Sequence, residues 1–272
     1  MKLRLLSESK LWIKRFIPNY VLDWITVLKY KKNRAREYGI YKEYVGGGNG
    51  LEIGGPSPVF LTVLPIYSVI KSLDNLSFSE NTNWNSAKSG HTYKYFGNKK
   101  GYQYISDATN LSHIKSNTYD FVLSSNCLEH IANPMKALFE WKRVLCNDGV
   151  LVLVLPRKDN NFDHKREYTT FNHILSDYRN NMLENDLTHF DEIMALHDLS
   201  LDRRAGDLSS FKKRSLDNYY NRTLHHHVFN EGLINDMLNY TEFYVVNIFM
   251  TKVDIFALAV SVTNGIKREQ CP

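Results

Sequence analysis

Leu51-Glu52-Ile53-Gly54-Gly55-Pro56-Ser57 is the stretch on which the reading of this chain turns. An apolar run carries one acidic residue and then breaks into glycines. A buried strand that turns abruptly into a loop has this composition, because glycine tolerates φ > 0 and has no side chain to hold a ligand off the backbone. The common dinucleotide pattern is G-x-G-x-x-G after a strand. Here Gly54 and Gly55 are adjacent, and Pro56 and Pro58 stiffen the loop beyond them. An ordinary strand-to-loop turn is the rival reading, and the neighbouring residues decide between the two.

Downstream of the turn the pattern alternates strand and helix, as in a parallel α/β sheet. Strand one lies near 51–53. Strand two is expected near 67–73, ending at Asp74, and strand three near 102–106, ending at Asp107. Strand four is expected near 119–124, followed by a helix at about 134–145. Strand five, 150–155, is apolar throughout and so buried on both faces, and Pro156 ends it. Residues 75–101, rich in Asn, Ser, Lys and Tyr, read as an irregular connection. A helix near 230–239 and strands near 243–250 and 254–262 close the chain, the last two as an antiparallel hairpin.

Two regions flank this alternation. Residues 1–43 hold 11 Lys/Arg and 4 Asp/Glu, a charge of +7, so the rest of a chain of net charge +5 carries −2. Two helices are expected there, with Leu11, Ile13, Phe16 and Ile17, then Val21, Trp24, Ile25 and Leu28, at helical period and Pro18 between them. Residues 1–45 thus read as a basic helical arm, either docking to a membrane surface or partner or packing on the main domain. Residues 46–272 are the main domain. Within it, 157–223 break the alternation with 11 Lys/Arg against 12 Asp/Glu, and read as a helical insertion over the sheet's carboxyl edge. Phe171, Ile174, Leu175 and Tyr178 mark one helix, and Thr188 to Asp191 looks like a capping box for another.

Three cysteines (Cys127, Cys146, Cys271) suggest neither a disulfide framework nor a zinc site. With no secretory h-region and no apolar run long enough for a span, a cytoplasmic protein is expected.

Strand ends in an open α/β sheet line one crevice, so Glu52, Asp74, Asp107-Ala108 and Ser124 to His130 can converge. Asp74, about 20 residues past the glycine turn, stands where a carboxylate accepts ribose hydroxyls. These residues, with Leu145 to Pro156, resemble class I S-adenosylmethionine-dependent methyltransferases of the type 11 kind, over about 50–156 and again 225–262. The resemblance implies a Rossmann-like, mostly parallel sheet whose last strand is antiparallel, and S-adenosylmethionine as cofactor. It implies that Glu52 and Gly54, in one turn with Gly55 and Ser57, hold the methionine end, Asp74 the ribose and Asp107-Ala108 the adenine, with Ser125 and Asn126 beside them. Ser57 stands where that family usually has a third glycine. A nicotinamide dehydrogenase is disfavoured, because the G-x-G-x-x-G order is missing.

Seven of ten histidines fall between His164 and His227, among Asp163, Asp177, Asp186, Glu192 and Asp198. Histidine can take the proton of a hydroxyl acceptor near neutral pH. His164 and the His225–His227 run, with His226 at its centre, are the candidates for that base. His130 joins them, because a Glu-His pair after strand four borders the active site in methyltransferases of this look. A metal is the rival reading, since His173 and Asp177 share a helix face, but the spacings match no metal motif and no metal is assigned. The stretch from Phe162 to Phe171 and the run His225 to Phe229 resemble bacterial methyltransferases associated with surface-glycan biosynthesis. That implies a small-molecule or glycan acceptor, a sugar or sugar-phosphate hydroxyl, with no nucleic acid expected. N-methylation, nucleic-acid methylation recruited by the basic arm, and a cofactor-binding module that has lost catalysis are the alternatives.

Overall fold

The structure is a computed structural model that describes residues 19–262. The helical positions read at Leu11, Ile13, Phe16 and Ile17, and Cys271, lie outside those residues. Helices α1 (Asn19–Lys29) and α2 (Tyr38–Val45) lead into β1 (Asn49–Ile53). Then come α3 (Val59–Thr62), β2 (Ser72–Ser77), β3 (Gly90–Phe96), β4 (Lys99–Ile105), β5 (Tyr119–Ser125), α4 (Pro134–Val144) and β6 (Leu145–Pro156). The insertion carries α5 (Phe171–Arg179), α6 (Phe190–Leu196), α7 (Leu208–Leu216) and α8 (Asn218–Asn221). Helix α9 (Glu231–Tyr240), β7 (Phe243–Met250) and β8 (Asp254–Ser261) follow.

The strands form one eight-stranded sheet in the order β3-β4-β2-β1-β5-β6-β8-β7. Strands β4, β2, β1, β5 and β6 are parallel neighbours, while β3 and the β7–β8 pair run antiparallel. This is the expected Rossmann-like α/β sheet with antiparallel final strands. Chain order runs outward in both directions from β1 and β5, so the switch point lies between them, at their carboxyl ends. Both faces are covered. Leu151, Leu153 and Leu155 of β6 enter the core under α4 and α9, and Val150, Val152 and Val154 enter the core on the other face. That second core includes Val27, Tyr41 and Val45, all buried, so the described part of the basic arm packs on the domain.

Two local expectations differ from the structure. Strand two begins five residues later than read, because Ile66–Ser68 form a 3-10 turn that buries Tyr67 behind the glycine loop. Residues 90–96 are a strand, not irregular. Tyr93 and Tyr95 alternate inward against exposed Thr92 and Lys94, a period of two obscured by the flanking Asn and Ser. Helix ends follow side-chain caps. Asn133, Thr170, Asp207 and Asn230 each accept a backbone N–H of their helix. Thr188 does not cap α6; its hydroxyl bonds Asp186 instead.

Candidate active site

The glycine turn is braced from behind. Glu52 is fully buried, and its carboxylate accepts hydrogen bonds from Tyr67 Oη (2.7 and 2.8 Å), from Ser57 N (3.1 Å) and from Tyr93 Oη. Burial raises its pKa, against these hydrogen bonds, which lower it. A Cβ on Gly55 would lie 2.2 Å from Glu52 Cδ, so only glycine fits there. Asn75 Oδ1 accepts from Gly55 N (2.9 Å), and Asn85 Nδ2 donates to Gly55 O (3.0 Å). Glu52 is therefore sealed inside the turn it shapes, with its oxygens already engaged. Of the pair expected to hold the methionine end, Glu52 thus stands behind the turn and Gly54 in front of it.

Gly54 has φ +81°, is exposed, and sits across the β1–β5 switch point from Cys127, whose thiol burial pushes up to about 12. Exposed Asn126, itself at φ 48°, and half-buried Ser125 stand at the end of β5. Half-buried Asp107 and Ala108 follow β4; Asp107 Oδ1 accepts from Thr109 N (2.8 Å), and Ala108 O accepts from Trp141 Nε1 (3.1 Å). The structure thus brings Gly54, Asp107, Ala108, Ser125 and Asn126 to one edge. It does not bring Asp74 there. Asp74 pairs with Leu51 three residues before the end of β2, about 10 Å back at ~3.3 Å per residue. Its carboxylate accepts from Tyr102 N (2.7 Å) and Tyr119 Oη (2.8 Å). The error followed from the misplaced strand.

Beside this edge opens a cleft of about 660 Å³ whose lining includes Trp84, His130, Phe162, Arg204, Arg214 and His225. His130 and His225 meet edge to face, with ring centres 4.6 Å apart, and Trp84 covers His130 at 5.1 Å. His130 Nδ1 lies 3.1 Å from the Leu224 carbonyl, which can only accept. The proton is therefore on Nδ1, and Nε2 is left as an acceptor. Burial, reinforced by His225, lowers the pKa of His130 well below the usual value. His225 Nδ1 bonds Asp163, which also pairs with buried Arg166 (3.1 Å). Burial would raise the Asp163 pKa, but His225 and Arg166 outweigh it and hold it at about 2. Arg166 also donates to the carbonyls of His225 (2.7 Å) and His226 (3.2 Å). An aspartate that fixes the Nδ1–H of a histidine leaves its Nε2 as the basic atom.

Two of the expected bases stand elsewhere. His226 is buried on the far side of its segment, against Asn218 Nδ2 (3.1 Å) and Glu184 (3.6 Å), and burial lowers its pKa to about 4. His164 pairs with Asp198 at 2.9 Å and does not line the cleft. Of the histidine run it is His225 that reaches the cleft. Arg166 and Trp84 were given no role in the sequence, because Arg166 reaches the carbonyls of His225 and His226 far along the chain and Trp84 lies in the stretch read as irregular. Arg222, from the insertion, was missed as well. It bridges Asp107 (3.2 Å) and Glu184 (3.1 Å) and lies over the Phe78 ring, tying the insertion to the strand edge.

Residues 85–153 match the methyltransferase domain family. Over 53 residues the chain is 47% identical to an uncharacterized protein of Methanocaldococcus jannaschii, covering 19% of this chain and 23% of that one, so it spans under a quarter of that relative. It is similar to a solved SAM-dependent methyltransferase of Methanosarcina mazei, with 15% identity, TM-score 0.43, and 82% and 97% of the two chains covered. It is also similar to one of Aquifex aeolicus, with 14% identity, TM-score 0.40, and 87% and 98% covered. The exposed backbone of Gly54 and the strand-end groups Asp107 and Asn126 suit an adenosine cofactor laid across the switch point. No helix among the described residues is long and apolar enough to cross a membrane. Residues 85–153 of this chain are thus similar to a methyltransferase domain.

Proposed function

We propose that this chain is an S-adenosylmethionine-dependent methyltransferase that O-methylates a sugar or sugar phosphate in the cytoplasmic assembly of bacterial surface glycans. The observation that carries the reading is the chemistry of the 660 Å³ cleft. Trp84 and Phe162 offer flat apolar faces to a sugar ring, and Asn83 offers a donor and an acceptor to hydroxyls. Arg204 adds a guanidinium group suited to a phosphate, while Arg214 beside it is paired with Asp202 (2.8 Å).

In this reading S-adenosylmethionine supplies an electrophilic methyl group on its sulfonium. Gly54 lets the methionine end approach the backbone, Gly55, Ser57 and Glu52 keep the turn in shape, and Asp107, Ala108, Ser125 and Asn126 hold the adenosine side. Nε2 of His225 takes the proton of the acceptor hydroxyl, with Asp163 holding Nδ1–H and steadying the imidazolium. Nε2 of His130 accepts a hydrogen bond from a neighbouring hydroxyl and orients the ring.

Labelled S-adenosylmethionine, incubated with a panel of nucleotide sugars, sugar phosphates and capsule fragments, tests this. The expected product is a labelled sugar methyl ether found by mass analysis. Label on an amine, or on nucleic acid with steep salt dependence, would replace the sugar reading.

A further inference from the structure

Outside the cleft, the insertion gathers a second group of histidines. His173 and Asp177 lie one turn apart on α5, His189 directly precedes α6, and His227 lies in the extended segment before α9. His173 Nε2 is 3.0 Å from His189 Nε2 and 3.2 Å from Asp177 Oδ2. His227 Nε2 is 2.9 Å from the same carboxylate oxygen. The four atoms all lie within 4.8 Å of one another. Ligands around a tetrahedral zinc, with bonds of about 2.0–2.1 Å, stand roughly 3.3 Å apart.

A hydrogen-bonded cluster accounts poorly for this arrangement. His173 and His227 both turn Nε2 to one Asp177 oxygen, and the Nε2 atoms of His173 and His189 face each other. Each of these close pairs needs its own proton between the two atoms, whereas one cation would satisfy all four donor atoms at once. Around the cluster stands the outer carboxylate common in metal sites: Glu192 Oε2 lies 3.5 Å from His189 Nδ1, and Arg166 Nε anchors Glu192 at 3.1 Å. His173, about a third exposed, opens the cluster to solvent.

We propose that His173, Asp177, His189 and His227 bind one divalent transition ion of the zinc class. This site goes beyond the transferase reading and does not depend on its acceptor. With all four positions filled by protein the site is closed, the mark of a structural ion. It would cross-link α5, the start of α6 and the segment that carries His225. Sequence spacing hides it, because His189 and His227 follow Asp177 by 12 and 50 residues.

The test is metal analysis of the untagged full-length protein. Wild type is expected to hold about one zinc per chain, and a chelator should strip it with a fall in melting temperature that added zinc reverses. Cobalt in its place should give the visible bands of tetrahedral coordination. Losing an outer-shell partner typically costs ~10–100-fold in affinity. Asp177→Asn and the partly exposed His173→Ala should therefore weaken zinc, measured by competition with a chromogenic chelator, by at least ~100-fold. His164→Ala, outside the cluster, should keep the full complement. If wild type binds neither zinc nor cobalt stoichiometrically, or no more tightly than Asp177→Asn, the cluster is a hydrogen-bonded network and the proposal is overturned. These readouts need no acceptor, so they stand apart from a failure to find the sugar product.

Discussion

Residues 51–156 and residues 157–229 position functional groups by different means. In the first stretch the backbone does the work. Gly54, Asp107 and Asn126 reach the crevice because parallel strands end there, between two dry cores that hold the sheet. In the second stretch the apolar core is small, centred on Ile193, Ala205, Phe211 and Leu224. Charged and imidazole groups do the positioning: Arg166 with Asp163 and Glu192, Arg222 with Asp107 and Glu184, His197 with Asp202. Backbone placement tolerates a change of pH and resists a change of volume. Ionic placement does the reverse.

The sharpest break in that contrast is chemical. His225→Gln keeps a hydrogen-bonding side chain beside Asp163 but removes the basic nitrogen. Turnover should fall by ~10²–10⁴, with S-adenosylmethionine affinity within about twofold. His226→Gln should leave turnover within about threefold, because His226 faces Asn218 and Glu184 rather than the cleft. A loss at His226 equal to that at His225 would mean that the run acts as one structural unit. Calorimetry for the cofactor and single-turnover rates for the transfer separate the two.

The contrast sharpens with pH. Glu129 is buried between the two regions, one residue before His130, and its Oε2 has no hydrogen-bond partner among the described residues. Burial, opposed by His225, raises its pKa from the ordinary 4.5 to about 7. A carboxyl whose folded pKa is raised binds more protons folded than unfolded. Its contribution to stability is therefore full below pH 4.5 and is lost as pH rises toward 7. Glu129→Gln should raise the melting temperature at pH 8 and leave it nearly unchanged at pH 4.5. A variant equally destabilised at both pH values would show that the Glu129 carboxylate is paired.

On the sheet side the test is volume. Gly55→Ala puts a methyl group 2.2 Å from Glu52 Cδ and 2.5 Å from Tyr93 Oη, both buried and held by each other. Overpacking of this kind costs ~1–3 kcal/mol, and the displaced turn should weaken S-adenosylmethionine severalfold without altering the acid or base limb of the stability profile. Unchanged stability would mean that the turn has slack and that Glu52 does not brace it.

How far each region could be read from sequence follows the same division. Strand five, α4, α9 and the final hairpin were legible because apolar period and capping residues are local signals, as at Leu151 to Leu155 or Asn133-Pro134. The crevice was legible as far as strand ends can be placed. Asp107 and Asn126 reach it, but Asp74 does not, because Tyr67 folds back to Glu52 instead of starting strand two. The insertion announced its histidines but not their pairing. Asp163 meets His225 across 62 residues and His227 meets Asp177 across 50, distances at which no spacing carries information.

The smallest effect belongs to Asp74, and it bears directly on where the crevice ends. Its carboxylate holds Tyr102 N and Tyr119 Oη inside the sheet, and β2 continues through Ser77 before the edge is reached. A side chain about 10 Å behind the edge cannot touch a ribose lying across it. Asp74→Asn keeps the shape and one acceptor oxygen but gives up the charge that strengthens both hydrogen bonds. The expected cost is ~1 kcal/mol of stability, seen as a small drop in urea midpoint. Affinity for S-adenosylmethionine should stay within about twofold by calorimetry, whereas Asp107→Asn should lower it by ~10-fold or more, through loss of a charge-assisted hydrogen bond. A tenfold loss at Asp74 with none at Asp107 would put the adenosine deeper between β2 and β4 than the strand ends, and the assignment of the crevice would have to move with it.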